Sequence, residues 1–309
     1  MILNRAAAVL ATPLAALAVA SAPACDDDHD HDEHSHGQEV TLTFAAKVGT
    51  EAFSCGATYA NVGAAASTVK PNDFRFYVHD FRLVATDGTE WPVSLEQDGL
   101  WQSANVALLD FEDKTGTCAN GTAPTNVTVR GTFDTGHETV AWSGVKFRVG
   151  VPFVLNHGDA STAASPLNLS GLFWSWQGGY KFMRLDMAVE GAMGGENPHG
   201  DGAGALLHLG STDCTLDATT QSVSACGAPN RPEITLVKNA TFDPATEKIV
   251  LDYAALVDGV DLSMDMGGAP GCMSGKDDPE CGPIFTHLGL DLATGLPSAT
   301  AVQTAFHLE

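Results

Sequence analysis

The sequence predicts an all-β protein, an antiparallel β-sandwich with disulfide-stapled loops, in a chain that is exported after synthesis. Three observations carry that prediction. Apolar and polar residues alternate with period two over much of the chain from Val40 onward, six cysteines remain once an export leader is set aside, and a strong hairpin turn stands at Asp87-Gly88. No long amphipathic helical pattern competes with them.

The first 25 residues read as a signal peptide. Arg5 supplies its short positive region, Ala6 to Ala20 its apolar stretch, and Ser21-Ala22-Pro23-Ala24 the small residues that precede cleavage. The apolar stretch is too short to span a bilayer comfortably. Cys25 follows directly, as in a lipoprotein, so processing ends either in a lipid anchor through Cys25 or in simple secretion. Either way the mature chain meets an oxidising compartment, the periplasm or the outer cell surface.

Residues 26–38 form a linker. Asp26 to Gly37 has no apolar residue to bury, which predicts a disordered acidic tether. His29, His31, His34 and His36 are interleaved there with carboxylates, a composition that holds transition metals loosely. The folded domain then runs over residues 39–309, with no internal repeat and no clear inner boundary. A 309-residue chain that is 44% hydrophobic has ample material for a core, and its formal charge of -23 repels nucleic acid and anionic membrane surfaces. Cations and basic proteins stay open as partners.

Within the domain, segments 40–44, 74–78, 81–84, 127–130, 145–149 and 182–186 alternate or nearly alternate, and are expected to be half-buried antiparallel strands. Asp87-Gly88, between 81–86 and 90–95, is expected to form a type I′ turn, which needs positive φ at both central residues. Short helices are expected near 161–169 and 254–257. Cys55, Cys118, Cys214, Cys226, Cys272 and Cys281 are an even set that allows fifteen pairings. Nearness in the chain favours Cys214 with Cys226 and Cys272 with Cys281, which leaves Cys55 for Cys118. None is spaced as a Cys-x-x-Cys zinc or redox pair, so structural disulfides are expected.

Several catalytic signatures are missing: there is no Gly-x-Ser-x-Gly elbow, phosphate-cradling glycine loop, His-Glu-x-x-His or haem-attachment motif. Glu112-Asp113 and Asp277-Asp278 read as solvated turns. His79, His157 and His208 stand among apolar or strand residues. Singly each is ordinary, but together they offer imidazoles from separate strands, which is how copper or zinc is held on a β scaffold. The segment Gly171 to Asp186 crowds Trp174, Trp176 and Tyr180 around a Gly178-Gly179 corner. Its plain reading is a core corner; its sharper reading is an indole that is reactive or lies against a metal. Met264, Met266 and Met273 read as gap-fillers of the core ahead of soft ligands for Cu(I).

Taken together, residues 74–84 (Phe-Arg-Phe-Tyr-Val-His-Asp-Phe-Arg-Leu-Val), Trp101-Gln102, 106–112, Cys118, 145–153, Asn156-His157, 166–168, 173–182 (Phe-Trp-Ser-Trp-Gln-Gly-Gly-Tyr-Lys-Phe) and His208 to Cys214 resemble the MbnP-like family, the metallo-mystery pair four-Cys motif proteins. The resemblance runs through nearly the whole exported domain. It implies an exported copper-binding β protein of Gram-negative bacteria that is not itself an enzyme. Its implied partner is a dihaem cytochrome c peroxidase-like protein of the MauG type, which oxidises one tryptophan to kynurenine. Trp101, alone in a polar loop, is the first candidate for that change, ahead of the Trp174 and Trp176 pair; Trp91 and Trp142 fit less well. The His-rich tether is not a feature attributed to the family. Two other function classes compete, a binding or adhesion sandwich with an aromatic ligand platform and a hydrolase using acidic loops. Deleting Asp26 to Gly37 should leave the apo melting temperature nearly unchanged and lower the number of weakly held Cu(II) ions, by calorimetry and metal titration.

Overall fold

The computed structural model describes residues 37–119, 121–136, 138–192, 204–217, 219–220 and 222–309. The signal segment, Cys25 and the tether histidines lie outside the described residues. Among the described residues, no helix is long and apolar enough to cross a membrane.

The principal strands are β1 (Gln38–Val48), β2 (Ser67–Ala85), β3 (Val106–Asp110), β4 (Thr128–Phe133), β5 (Trp142–Val149), β6 (Phe173–Ser175), β7 (Gly179–Tyr180), β8 (Met183–Val189), β9 (Gly204–Leu209), β10 (Thr212–Leu216), β11 (Val223–Ala228), β12 (Glu233–Val237), β13 (Lys248–Asp252) and β14 (Phe306–Leu308). A six-stranded sheet follows the order β14-β13-β1-β4, extended by Ser94–Leu95 beyond β4 and Glu51–Ala52 on β1. A nine-stranded sheet follows β9-β8-β2-β5-β12, with β3, Tyr59–Val62 and Glu90–Pro92 also on β2 and Gln102–Ser103 on β3. Pairing is antiparallel except that β1 and β13 run parallel, a departure that the long chain between them makes possible.

The two sheets bury one apolar face each, as period-two alternation requires. From β1 come Val40, Leu42, Phe44, Ala46 and Val48; from the large sheet come Phe74, Phe76, Phe81, Leu83, Val145 and Phe147. Phe44 stands at the centre, with its ring 6.1 Å from Phe76, 6.2 Å from Phe81 and 5.6 Å from Phe147, all edge to face. Aromatic pairs in that geometry add to the burial itself.

The expected segments 74–78 and 81–84 are one strand of 19 residues, not two. Its middle is buried without alternation, from Pro71 to His79. The expectation of half-buried strands fails there because the second face of β2 is also covered. The hairpin at Asp87-Gly88 is present, but only Gly88 has positive φ, at 88°. Ala85 N–H donates to Thr89 O at 2.9 Å and Gly88 N–H to Ala85 O at 2.9 Å, so the loop has three residues and closes through glycine, not a type I′ pair. A helix does form at Tyr253–Leu256, capped by Asp252, whereas 161–169 is a series of turns. The helix Cys281–His287 has no counterpart among the expected elements.

The three disulfides are Cys55–Cys118, Cys214–Cys226 and Cys272–Cys281, the pairing that nearness favoured. Replacing Phe44 by Ala should cost about 3–5 kcal/mol, read as a lower urea midpoint with an unchanged m-value.

Candidate metal centre

On its second face β2 presents Asp73, Arg75, Tyr77 and His79 at alternate positions. Cross-strand register sets their neighbours: Asp73 stands opposite Asp186, Arg75 opposite Arg184, and Arg184 in turn opposite His208 on β9. Five polar side chains thereby form a buried ionic row. Asp73 accepts a bidentate pair from Arg75, with Nε–Oδ1 at 2.8 Å, and lies 3.2 Å from Arg184 Nε. Asp186 accepts from Arg184 Nε at 2.7 Å and from His208 Nε2 at 2.9 Å. Burial alone would raise the Asp186 carboxyl, yet these donors hold it below its ordinary value. Lys181 joins the row, its amine pushed down to about 8 by burial and by Arg184. His208 is thus an element of a charged interior, with its other ring nitrogen facing no partner among the described residues.

His79 is placed otherwise. A local irregularity in the β2–β5 ladder, with Asp80 at φ 55°, turns the strand where His79 pairs with Arg148. The His79 Nδ1 N–H donates to Gly150 O at 2.8 Å, and burial pushes the imidazole down to about 4 against that bond. The ring is therefore neutral, with its lone pair on Nε2. Gly150 has φ of 115°, and a Cβ there would meet the Phe182 ring at 2.7 Å, so the carbonyl that orients His79 sits where only glycine fits.

His157 caps the short helix Phe153–Asn156 and repeats the same arrangement. Its Nδ1 N–H donates to Trp176 O at 3.0 Å, while Nε2 accepts from Asn156 Nδ2 at 3.1 Å. Burial, then the Arg231 guanidinium, lowers the imidazole, and Arg231 lowers His79 as well. The Asn156 side chain pins the glycine corner, since its Oδ1 accepts from Tyr180 N at 2.9 Å. Gly179, at φ 78°, would drive a Cβ to 2.3 Å from Asn156 Nδ2. On the other side of His157 lies the β10–β11 hairpin, with Cys226 Sγ 3.4 Å from Nε2. His157, Cys214 and Cys226 have ligand-type atoms within 4.8 Å of one another, although both sulfurs are in a disulfide.

His157 thus meets the Trp176 carbonyl, and Cys214, which belongs to its ligand-type group, also lines an open cleft with Trp174 and Met273. Trp176 is exposed, and Trp174 is held against Gly210, where a Cβ would meet its ring at 2.4 Å. Trp101 is half-buried against the core, two strands from Tyr77, and is held by the Asp98 carboxylate that accepts its N–H at 2.7 Å. His208 stands two strands across and four residues along from His79, roughly 10 Å by 13 Å on the sheet, so the structure does not gather the three histidines at one point.

Two other expectations change. Met264 and Met266 are exposed on a loop and fill no core gap, while Met273 lines the Trp174 cleft because the Cys272–Cys281 link anchors its neighbour. Glu112 and Asp278 are buried members of pairs expected to be solvated. Glu112 accepts from Gly121 N at 3.0 Å, and Asp278 packs beside Glu280. Sequence alone offered no signal for either, since each stands beside a more exposed aspartate, half-buried Asp113 and exposed Asp277.

The MbnP family model matches residues 37–274. The chain belongs to the MbnP family. Among solved structures, MbnP from Methylosinus trichosporium is 35% identical with a TM-score of 0.75, and the match covers 88% of this chain and 98% of that one. A search of curated proteins found no match. The MbnP match takes in His79, His157, His208, Trp174, Trp176 and the glycine corner.

The two oriented histidines leave a mark on stability. Between pH about 4 and 6.5 the unfolded chain protonates His79 and the folded chain does not, so this residue makes stability rise with pH through that window and fall on acidification. Its size is about 3 kcal/mol. Asp110 and Asp278, raised to about 7 by burial, act in the opposite sense, so the His79→Gln variant isolates the effect. Urea midpoints should show the stability difference between the metal-free parent and the variant shrinking by that amount from pH 7 to 4.

Proposed function

We propose that this MbnP-family chain is an exported copper-binding protein whose tryptophan Trp176 or Trp174 is converted to kynurenine by a dihaem, MauG-type partner. The observation that carries the reading is the shared state of His79 and His157. Each donates Nδ1–H to a backbone carbonyl, each has its protonation suppressed by burial, and each thereby has its lone pair on Nε2, which in His157 accepts from Asn156 Nδ2 and must exchange that donor for a metal. That is the outer-sphere arrangement which fixes the tautomer of a metal-ligating histidine. Neutral imidazole suits copper, and a tryptophan sits on the carbonyl that orients one of them. When bound, copper would supply a thiophilic, redox-active centre beside the cleft.

The tryptophan change is a four-electron oxidative ring cleavage by the partner, using two molecules of hydrogen peroxide, each of which gives one oxygen atom and leaves as water. Two oxygen atoms add across the C2–C3 bond as it breaks, and hydrolysis then releases C2 as formate. The product is an aniline and a ketone next to His157. No residue of this chain performs that chemistry; its contribution is to present the indole. Trp176 is exposed, and the chain as a whole carries a formal charge of -23, which favours a basic docking face on the partner. On this reading the leader read from the sequence would send the chain to meet its partner in the periplasm or at the outer surface, with or without a lipid on Cys25.

Tandem mass spectrometry of protein from the native host should find a gain of one oxygen and a loss of one carbon at Trp176 or Trp174, with Trp101 unaltered. In the modified protein, His157→Ala and His79→Ala should each weaken copper binding by about 10-fold or more in a chelator competition. His208→Ala should lower stability, because buried Asp186 keeps Arg184 but loses its second donor, and leave copper affinity in the folded protein unchanged. Intact tryptophans throughout, or copper affinity indifferent to His157, would refute the reading.

A further inference from the structure

The Cys214–Cys226 disulfide does not have the setting of the other two. Cys55, Cys118, Cys272 and Cys281 are buried, with exposures of 1%, 0%, 2% and 0%, whereas Cys214 and Cys226 are half-exposed on a two-stranded hairpin. Exposed disulfides are the ones reductants reach. Cys214 and Cys226 are direct cross-strand partners, and the ladder continues on both sides through Thr212 with Ala228 and Thr215 with Ala225. The hairpin is therefore held by backbone pairing when the covalent link opens, and the two sulfurs stay face to face.

The third atom is the His157 Nε2, 3.4 Å from Cys226 Sγ. A tetrahedral metal with sulfur at about 2.3 Å and nitrogen at about 2.0 Å sets its sulfur and nitrogen ligands roughly 3.5 Å apart. The observed spacing already matches. Because Nδ1 is committed to Trp176 O, the lone pair is on Nε2, the nitrogen next to Cys226 Sγ, where it accepts from Asn156 Nδ2 and would exchange that donor for a metal.

We propose that the Cys214–Cys226 disulfide is a redox gate on a second ligand set, in which the reduced cysteines and His157 bind one thiophilic d10 cation, Cu(I) or Zn(II), as two thiolates and one imidazole. The gate opens by thiol–disulfide exchange with a dithiol. The reductant supplies two electrons and two protons, becomes a disulfide itself, and leaves Cys214 and Cys226 as thiols. Each thiol then loses its proton to solvent as it takes up the metal. In the oxidised state the sulfurs are poor donors and His157 serves the imidazole-based site alone; on reduction the same imidazole gains two strong soft partners. The inference shares His157 Nε2 with the reading above, but needs neither a modified tryptophan nor copper.

The test uses the full chain with unmodified tryptophans. Mild reduction with a phosphine, removal of the phosphine under anaerobic conditions, and alkylation of a sample should label Cys214 and Cys226 and leave the other four cysteines linked. Co(II), added to the unalkylated protein as a spectroscopic stand-in for Zn(II), should then give a thiolate charge-transfer band saturating at one equivalent. The oxidised protein should give none, and the band is blind to the histidines of the tether. His157→Ala should weaken Co(II) binding by about 10-fold or more, and the Cys214→Ala, Cys226→Ala double variant should abolish the band while keeping a native circular dichroism spectrum. Absence of the band in reduced protein, retention of full affinity in His157→Ala, or reduction of a buried disulfide first would overturn the proposal. Failure of copper binding by the oxidised, tryptophan-modified protein would refute the earlier reading without touching this one.

Discussion

The structure depends on one constraint: β2 is buried on both faces. A central strand covered by the second sheet on one side and by the segment after β5 on the other cannot leave its alternate polar residues to water. Arg75 and Arg184, at 3% and 6% exposure, must then meet carboxylates inside the protein, and Asp73 and Asp186 provide them. Removing one member of such a row leaves an uncompensated buried charge, which costs far more than the row contributes as a whole. The row is thus a registry device as much as a stabilising one. It locks β8 and β9 to β2 in one alignment, because a slip by one residue would turn every charge into the apolar layer.

That alignment is what positions the site. The chain leaving β5 at Gly150 has to pass over the polar face of β2, and its carbonyl there meets His79. It then makes one short helical turn, presents Asn156 and His157, and returns through Trp174 to the glycine corner under Tyr180. Tyr77 and Tyr180 seal this passage, with rings 5.8 Å apart and hydroxyls donating to Pro166 O and Leu167 O. The histidines therefore sit at the edge of a rigid interior while the indoles stand further out. Such a division suits a centre whose ligands need fixed tautomers and whose aromatic neighbour must be reached by another protein.

Covalent stapling follows the same gradient. The Cys55–Cys118 and Cys272–Cys281 links are buried with their surroundings and tie loops to the sandwich. The third link lies in the outer layer with His157, where the chain is least covered. The half-exposed disulfide is therefore the one beside His157, while the other two are shielded by the core.

How far the sequence determined this protein follows from the range of the interactions involved. Alternation in 40–44 or 145–149 is a local property of backbone and side chain, so strand identity and the sandwich class were legible. The disulfide pairing was legible too, because two of the links close short loops. The resemblance carried by segments such as 173–182 was enough to reach the family. What the tertiary structure decided is which face is covered and which distant residues meet. Arg75 and Lys146 both look like solvent-facing strand positions, yet only the first lies under another layer. His208 and His157 look equally like ligands, yet register across three strands gives His208 to Asp186, while a helix end gives His157 to Trp176 and the hairpin. Met273 and Trp174 share a cleft although 99 residues separate them in the numbering. Burial of the second sheet face and long-range register are properties of the assembled layers, and no local pattern in the chain encodes them.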